Sequence, residues 1–247
     1  MNEVTNTTNN ALSNVIDFSE LGEELAGLSL NFERIKIPSG GGLAFEVPGD
    51  NPDSPDTVKS IRGVIVLQHP VNVFYKEKFD GSNNAPDCSS LDGINGTDSD
   101  GEMHLCAKCP NFVFGSGENG SKACKQKRRL FILREGEALP VILVVPTGSI
   151  KEFSAFATRL LSKGKRTSGV LTDFTLRKAK NSTGITYSQL LCSVVRDLTP
   201  EESASVAALS KQVKEYAMHT DVGIEDEEQT VASGLKPTND DPPFLYK

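Results

Sequence analysis

Residues 106–145 decide the fold of this chain, and they read CAKCPNFVFGSGENGSKACKQKRRLFILREGEALPVILVV. They contain three cysteines, a basic cluster directly behind the last of these, and two apolar runs separated by a glycine-containing turn. The turn and the two runs predict a β-hairpin over residues 129–134 and 139–145. A fourth cysteine, Cys88, precedes the stretch across a polar, glycine-rich loop. We interpret residues 86–125 as a cysteine knuckle beside this hairpin.

The cysteines of the knuckle have the spacing C-x17-C-x2-C-x14-C. Zinc binds tetrahedrally to deprotonated sulfur, and a C-x2-C pair supplies two thiolates from one tight turn. A bound ion would also hold a loop that has almost no apolar residues of its own. We therefore predict a structural zinc ion, with an iron–sulfur cluster or free thiols as alternatives. The predicted ligands are Cys88, Cys106, Cys109 and Cys124.

Two further residues are not among the predicted ligands. His104 lies two residues before Cys106 and could replace a cysteine, although we interpret it as a surface residue. Cys192 lies in a predicted strand, where a free cysteine behaves as a small buried apolar side chain.

The remaining elements define the fold class. The pattern predicts a strand at 60–69, the insertion, the hairpin, a helix at about 150–162, strands at 169–180 and 185–196, and a helix at 199–218. Five strands with a helix between the third and fourth is the order of the OB-fold. We predict a mainly β protein with flanking helices (α+β), in which an OB-like five-stranded barrel carries an inserted four-Cys zinc knuckle. The domains expected are an acidic segment 1–30, the OB-like domain 31–219 and a disordered acidic tail 220–247.

Charge is distributed unevenly along the chain, although the formal net charge is only −7. Between Ser121 and Lys180 there are 14 Lys and Arg against 4 Asp and Glu, a local charge of +10. Residues 1–60 carry 3 basic against 10 acidic residues, and residues 220–247 carry 2 against 7. A basic middle between acidic ends indicates binding of a polyanion, because such binding follows local charge.

The candidate nucleic-acid contacts are basic side chains interspersed with aromatic rings. Lys and Arg neutralise phosphates, and unpaired bases stack on exposed rings whatever their sequence. The predicted contacts are Lys122, Lys125, Lys127, Arg128, Arg129, Phe112, Phe114, Phe131, Arg134, Arg177, Lys178, Lys180 and Tyr187.

No catalytic constellation stands out, so we expect a protein that is not an enzyme. The three histidines have no patterned Ser or Cys partner, and acidic pairs in the basic middle are too few for a two-metal nuclease. No apolar run approaches the length of a membrane span, and no signal peptide is seen. We expect a cytoplasmic protein, in the host cell if it is phage-encoded.

Three resemblances point to DNA replication or recombination. The tail sequence Asp240-Asp241-Pro242-Pro243-Phe244 resembles the tip of bacterial single-stranded-DNA-binding proteins, although three more residues follow it. That resemblance implies recruitment of replication or recombination proteins through Asp240, Asp241, Pro243 and Phe244. The position of the cysteine insertion is similar to that in the zinc-ribbon OB domain of replication protein A. Residues 60–200 also resemble uncharacterised phage and mobile-element proteins.

Together these features predict a sequence-tolerant single-stranded-DNA-binding protein of a phage or mobile element, with RNA left open as the ligand. One alternative is an inhibitor or recruitment factor that docks another protein through the zinc knuckle. A second alternative is an enzyme that uses an iron–sulfur or zinc site in nucleic-acid processing.

Overall fold

The structure is a computed structural model that describes residues 30–49, 51, 54–77, 85–181 and 184–217. The predicted acidic segment, apart from residue 30, and the predicted acidic tail with its Asp240–Phe244 motif lie outside the described residues. The part of the chain that is described is mainly β. It forms a mixed sheet of nine strands, a separate two-stranded sheet and two α-helices.

The elements are numbered in chain order. The strands are β1 (Arg34–Ile35), β2 (Phe45–Val47), β3 (Asp56–Val58), β4 (Ser60–Phe74), β5 (Cys88–Ser90), β6 (Asn95–Asp98), β7 (Met103–Leu105), β8 (Lys125–Arg134), β9 (Val141–Val145), β10 (Val170–Lys180) and β11 (Thr186–Asp197). The helices are α1 (Ile150–Leu161), between β9 and β10, and α2 (Pro200–Ala217), after β11.

The large sheet is organised around β4, which is 15 residues long. One edge of β4 pairs along most of its length with β8, and β8 pairs in turn with β9. The other edge of β4 is divided between two partners. Its first residues pair with β10 of the β10–β11 hairpin, and its last residues pair with β5 of the cysteine knuckle. The knuckle is therefore a lateral extension of the same sheet.

Gly63 lies where β4 pairs with both β8 and β10. A Cβ atom at this position would lie 2.5 Å from Cγ2 of Ile132 and 2.7 Å from the backbone oxygen of Leu133. Only glycine lets β4 approach β8 this closely, because any side chain would collide with the neighbouring strand.

The predicted order of strands and helices along the chain is confirmed, and closure into a barrel is not. The strands pair in the order β9–β8–β4–β10–β11, with α1 before β10. The described strands nevertheless form an open sheet, which corrects the predicted five-stranded barrel. The outer edge of β9 is occupied by β1, which pairs with it in parallel. Among the described strands β11 pairs with β10 and not with β9. It contacts the turn after β9, where the Leu190 N–H donates to Ser149 Oγ at 2.9 Å.

Both faces of the sheet are covered, which explains the unbroken apolar runs in β8 and β9. On one face, α1 contributes Phe153, Phe156 and Leu160 to a core that includes Leu130 and Ile132. On the other face, α2 packs Val206, Leu209 and Val213 against a second core that includes Phe131 and Leu133. Successive residues of a strand point to opposite faces, so a strand covered on both sides is apolar at every position.

Helix α2 begins with the capping arrangement expected from the sequence. The Glu202 N–H donates to Thr199 Oγ1 at 3.2 Å, and the Glu202 carboxylate accepts the Thr199 N–H at 2.9 Å. Arg196 of β11 donates two hydrogen bonds to the same carboxylate, at 2.7 and 2.8 Å. These bonds lower the pKa of Glu202, with Arg196 as the largest cause.

The sequence pattern also predicts an edge strand over residues 71–79 and a linker over residues 49–57. In the structure, residues 71–74 continue β4 without a break. The end of the predicted linker belongs to β3, which pairs with β2. In the described part of the chain, no helix is both long and apolar enough to cross a membrane.

Candidate functional site: the cysteine knuckle

The knuckle is an antiparallel meander, β5–β6–β7, followed by two short 3₁₀ turns. Backbone hydrogen bonds place each cysteine in it. The Cys106 N–H donates to the Ile94 oxygen at 2.8 Å, and the Cys109 N–H donates to the Cys106 oxygen at 3.1 Å. The Cys124 N–H donates to the Asn111 oxygen at 2.8 Å. The C-x2-C segment is therefore a tight turn, and β8 returns beside it.

All four predicted metal ligands line one small cavity of about 20 Å³. A space of this size holds one water molecule or one ion. Gly96 of β6 makes room for the sulfurs, because a Cβ atom there would lie 3.0 Å from Sγ of Cys88 and 3.6 Å from Sγ of Cys106. The fold thus brings Cys88, Cys106, Cys109 and Cys124 together although they are spread widely along the chain.

The electrostatics of the cavity disfavour four free thiolates. Burial raises the pKa of Cys88, and the neighbouring Cys106 and Cys109 raise it further. Burial, followed by the other three cysteines, raises the pKa of Cys124 to about 12. All five cysteines are free thiols. A bound divalent cation would reverse this balance, because a coordinating thiol loses its proton.

The donor set fits the predicted zinc ion, although the structure does not show a coordination site. Four thiols around an ion-sized space are the ligands of a structural zinc site, and Cys88, Cys106, Cys109 and Cys124 would hold it. In the residues that the structure describes, no group of three or more His, Cys, Asp or Glu side chains is arranged so that it could hold a metal ion. Zinc, and the iron–sulfur alternative, therefore stay predictions.

His104 and Asp98 form a pair beside the cavity that the sequence pattern does not reveal. His104 lines the cysteine cavity, and its Nε2 lies 2.6 Å from Oδ2 of Asp98. The other oxygen of Asp98 accepts the N–H groups of Asp100 and Glu102. These hydrogen bonds, that of His104 first, lower the pKa of Asp98. Carboxylates often orient histidines in this way behind metal ions.

Three of the predicted nucleic-acid contacts meet on the knuckle. The ammonium group of Lys122 lies 4.1 Å from the centre of the Phe112 ring and 4.6 Å from that of Phe114. Phe112 also lines the cysteine cavity, and Phe114 is exposed. We call this group the Lys122 aromatic cluster. It places a cation and an exposed ring at one point of the surface, as base stacking requires.

Three other predicted contacts are corrected, because their side chains are buried. Lys127 is 2% exposed, and Arg129 and Phe131 are 0% exposed. All three lie on one face of β8, the central strand between β4 and β9, and Phe131 belongs to the core under α2. Burial follows this face of β8, because Arg128 on the opposite face is only half-buried. The three buried side chains therefore offer no surface to a nucleic acid.

The remaining candidates lie outside the knuckle loops or are already hydrogen-bonded. Lys125 donates to Ser121 and to the Lys122 oxygen, Arg128 donates to Gln68, and Arg134 pairs with Glu137. Another group lies on the β10–β11 hairpin, which joins β4 at the end opposite the knuckle. Its members are the exposed Arg177, Lys178 and Lys180 and the half-buried Tyr187.

The outer surface of the knuckle is acidic and apolar, in contrast to the basic cluster that follows it. Between Asp87 and Glu118 the chain carries six acidic residues and one lysine. Large apolar side chains are exposed on the same segment, namely those of Ile94, Met103, Leu105, Val113 and Phe114. The β-meander, residues 88–105, thus carries no Lys or Arg.

Cys192 lies in β11, in the strand that the sequence predicts, and it is partly buried. It packs against the core under α1, and burial raises the pKa of its thiol to about 12.

Comparison with protein-family models, with curated proteins and with solved structures finds no match for this chain. The function is therefore inferred from the geometry of the fold and of the knuckle.

Proposed function

We propose that this protein is a non-enzymatic, sequence-tolerant single-stranded-DNA-binding protein that acts in phage or mobile-element replication or recombination. The observation that carries the proposal is the pairing order β9–β8–β4–β10–β11 with a cysteine-lined insertion between β4 and β8. OB-like domains bind oligonucleotides through the second and third strands and through the loops after the first and fourth. In this chain those loops correspond to the cysteine knuckle and to the connection between β10 and β11.

In this proposal the knuckle is a four-Cys zinc knuckle. The ion would supply folding free energy to a segment with little apolar core, and Cys88, Cys106, Cys109 and Cys124 would bind it. The knuckle itself would then hold the Lys122 aromatic cluster at a fixed point beside β8. The cytoplasmic location expected from the sequence belongs to the same proposal.

The proposed contacts fall into two groups. At the knuckle, Phe114 stacks on an unpaired base and Lys122 meets a phosphate; stacking of one base on a ring is worth ~1–3 kcal/mol. On the β10–β11 hairpin, Lys178 and Lys180 meet further phosphates, and Arg177 would join them by exchanging its ion pair with Glu152, now at 3.0 Å, for a phosphate. None of these contacts reads a base edge, so DNA of any sequence would bind, and RNA remains a second possible ligand.

The test is a fluorescence-polarisation titration with labelled oligo-dT at several salt concentrations. We expect measurable affinity at low salt and a slope of log affinity against log salt that reports the phosphate contacts. Replacing Lys178 and Lys180 by Glu should lower that slope by about 0.7 for each phosphate that is no longer neutralised. The matched control replaces Lys211 and Lys214, which are exposed on α2, by Glu and should leave the slope unchanged although the net charge changes equally.

A second candidate function is recruitment or inhibition of another protein, and the exposed apolar side chains of the knuckle favour it. The same titration separates the two candidates. Absence of oligo-dT binding at low salt would reject the DNA proposal and leave the protein partner. Parallel titrations with duplex DNA and single-stranded RNA would define which nucleic acid is preferred.

A further inference from the structure

Strand β7 forms an open edge of the large sheet. It pairs with β6 on one side, and no other strand in the described part of the chain pairs with it. It is also short, at three residues, and all three are exposed. An exposed edge strand is a template on which another extended chain can pair.

The hydrogen-bond register shows which backbone groups of β7 point outward. The Asp98 N–H donates to the Glu102 oxygen, and the Cys106 N–H donates to the Ile94 oxygen, so residues 102, 104 and 106 face β6. In an antiparallel ladder, the residues between these have their N–H and C=O groups on the opposite side. Met103 and Leu105 therefore direct two N–H donors away from the sheet, and Met103 also directs its C=O acceptor outward, whereas the C=O of Leu105 begins the 3₁₀ turn at Cys106–Lys108.

Large apolar side chains surround this edge although it lies at the surface. Met103 is 70% exposed and Leu105 is 47% exposed, and Ile94 is 41% exposed nearby. Met103 and Leu105 also line a groove of about 610 Å³, together with Phe74 and Pro110. A pairing strand would therefore find pockets for alternate apolar side chains beside the open backbone groups.

The charged residues around the groove determine which kind of partner segment would bind. The groove is also lined by Asp87, Asp98 and Asp100, against Lys76 and Lys108. Lys76 lies 3.7 Å from Asp87, so these two charges offset each other and leave Asp98 and Asp100 against Lys108. Glu102, next to Met103, is exposed as well. This surface would repel a polyanion and attract a segment that carries Lys or Arg.

We propose that β7 is a docking edge for a partner protein, which adds an extended segment of alternating apolar and basic residues as a further strand. The inference does not rest on DNA binding, because it uses the acidic face of the knuckle and not the Lys122 aromatic cluster. It assigns the knuckle a second role, in which the partner segment is held while the basic part of the molecule stays accessible.

The experiment uses the full chain and a fluorescein-labelled octapeptide of alternating valine and lysine, followed by polarisation. The decisive variant is Leu105→Pro. Leu105 has φ −76°, which proline adopts without strain, and its N–H points away from β6. The variant thus removes one outward donor and leaves the β6–β7 pairing intact. We expect peptide affinity to fall about tenfold, because the peptide carbonyl is left without its donor.

Three controls make the result decisive. Leu105→Ala keeps the N–H and should bind more tightly than Leu105→Pro. An octapeptide with glutamate in place of lysine should bind at least about tenfold more weakly than the basic one. Oligo-dT affinity should be the same for both variants and the unaltered chain, so that failure of peptide binding and failure of DNA binding are separate outcomes.

If the proline variant misfolds, a measurement on the unaltered protein still tests the proposal. Peptide binding should slow amide hydrogen exchange at Met103 and Leu105, while His104, which already pairs with Gly96, changes little. The proposal is overturned if the basic peptide does not bind, if Leu105→Pro binds it normally, or if the acidic peptide binds equally well. A self-associated dimer that Leu105→Pro abolishes would also overturn it, by assigning the edge to a second copy of the chain.

Discussion

Gly96 gives the sharpest test of the cysteine cavity. In Gly96→Ala the new methyl group would lie 3.0 Å from Sγ of Cys88 and 3.6 Å from Sγ of Cys106. Ordinary contacts between such atoms are at about 3.5–4 Å, so at least one sulfur must move. Forcing a methyl group into a packed site costs about 1–3 kcal/mol.

A second effect has the opposite sign and can be measured separately. Replacing glycine by alanine restricts the unfolded chain and stabilises the folded protein by about 0.4–1 kcal/mol where the site is open. Gly169→Ala supplies this effect alone, because a Cβ atom at Gly169 would meet nothing within 4 Å. We therefore expect Gly96→Ala to lower the free energy of unfolding by roughly 1–2 kcal/mol and Gly169→Ala not to lower it.

The assay is urea unfolding of both variants, with the free energies obtained by linear extrapolation. Zinc content per chain is measured on the same samples, and we expect it to fall in Gly96→Ala and to stay unchanged in Gly169→Ala. Equal stability and equal zinc content in the two variants would refute the reasoning, because the positions of the sulfurs would then not depend on the absence of a side chain at residue 96.

Three further predictions concern the metal, the α2 cap and the tail. Metal analysis should find one zinc per chain in the unaltered protein and little in Cys109→Ser, whereas Cys192→Ser should retain the zinc. Iron together with visible absorption would instead indicate an iron–sulfur cluster. Glu202→Gln should cost about 2 kcal/mol at neutral pH, from the charge-assisted bonds to Arg196. Because the pKa of Glu202 is lower in the folded state, this stabilisation is present above the unfolded value and disappears on acidification, so urea midpoints of the two proteins should converge at acid pH. Deleting residues 221–247 should tighten oligo-dT binding at low salt, since the acidic tail competes with DNA for basic groups; an unchanged dissociation constant would contradict that competition.

Much of the fold could be predicted because its signals are local. The β8–β9 hairpin turns at Gly136, whose φ of +83° suits glycine, and the apolar runs on both sides were long enough to identify. Both helices begin within a residue of the predicted positions. The cysteine spacing was also sufficient to group four side chains that line one cavity.

What the sequence did not reveal depends on pairing between distant segments. β6 is short and polar, and β7 has only three residues; they form because β5 offers an edge to β6, and β6 in turn pairs with β7. The parallel pairing of β1 with β9, which leaves the sheet open, has no local signal either. Arg129 and Lys127 were expected at the surface because charged residues usually are, but the position of β8 in the middle of the sheet buries them.

The continuity of β4 has a mechanical consequence. A single strand of 15 residues carries the β10–β11 hairpin near its beginning and the cysteine knuckle at its end, a span of roughly 45 Å when extended. Hydrogen bonds to β8 support it along most of that length, and a β-bulge between Ile65 and Leu67 bends it without ending the pairing on either side. A ligand that touches both ends must therefore match the distance between them, which this one bent strand sets.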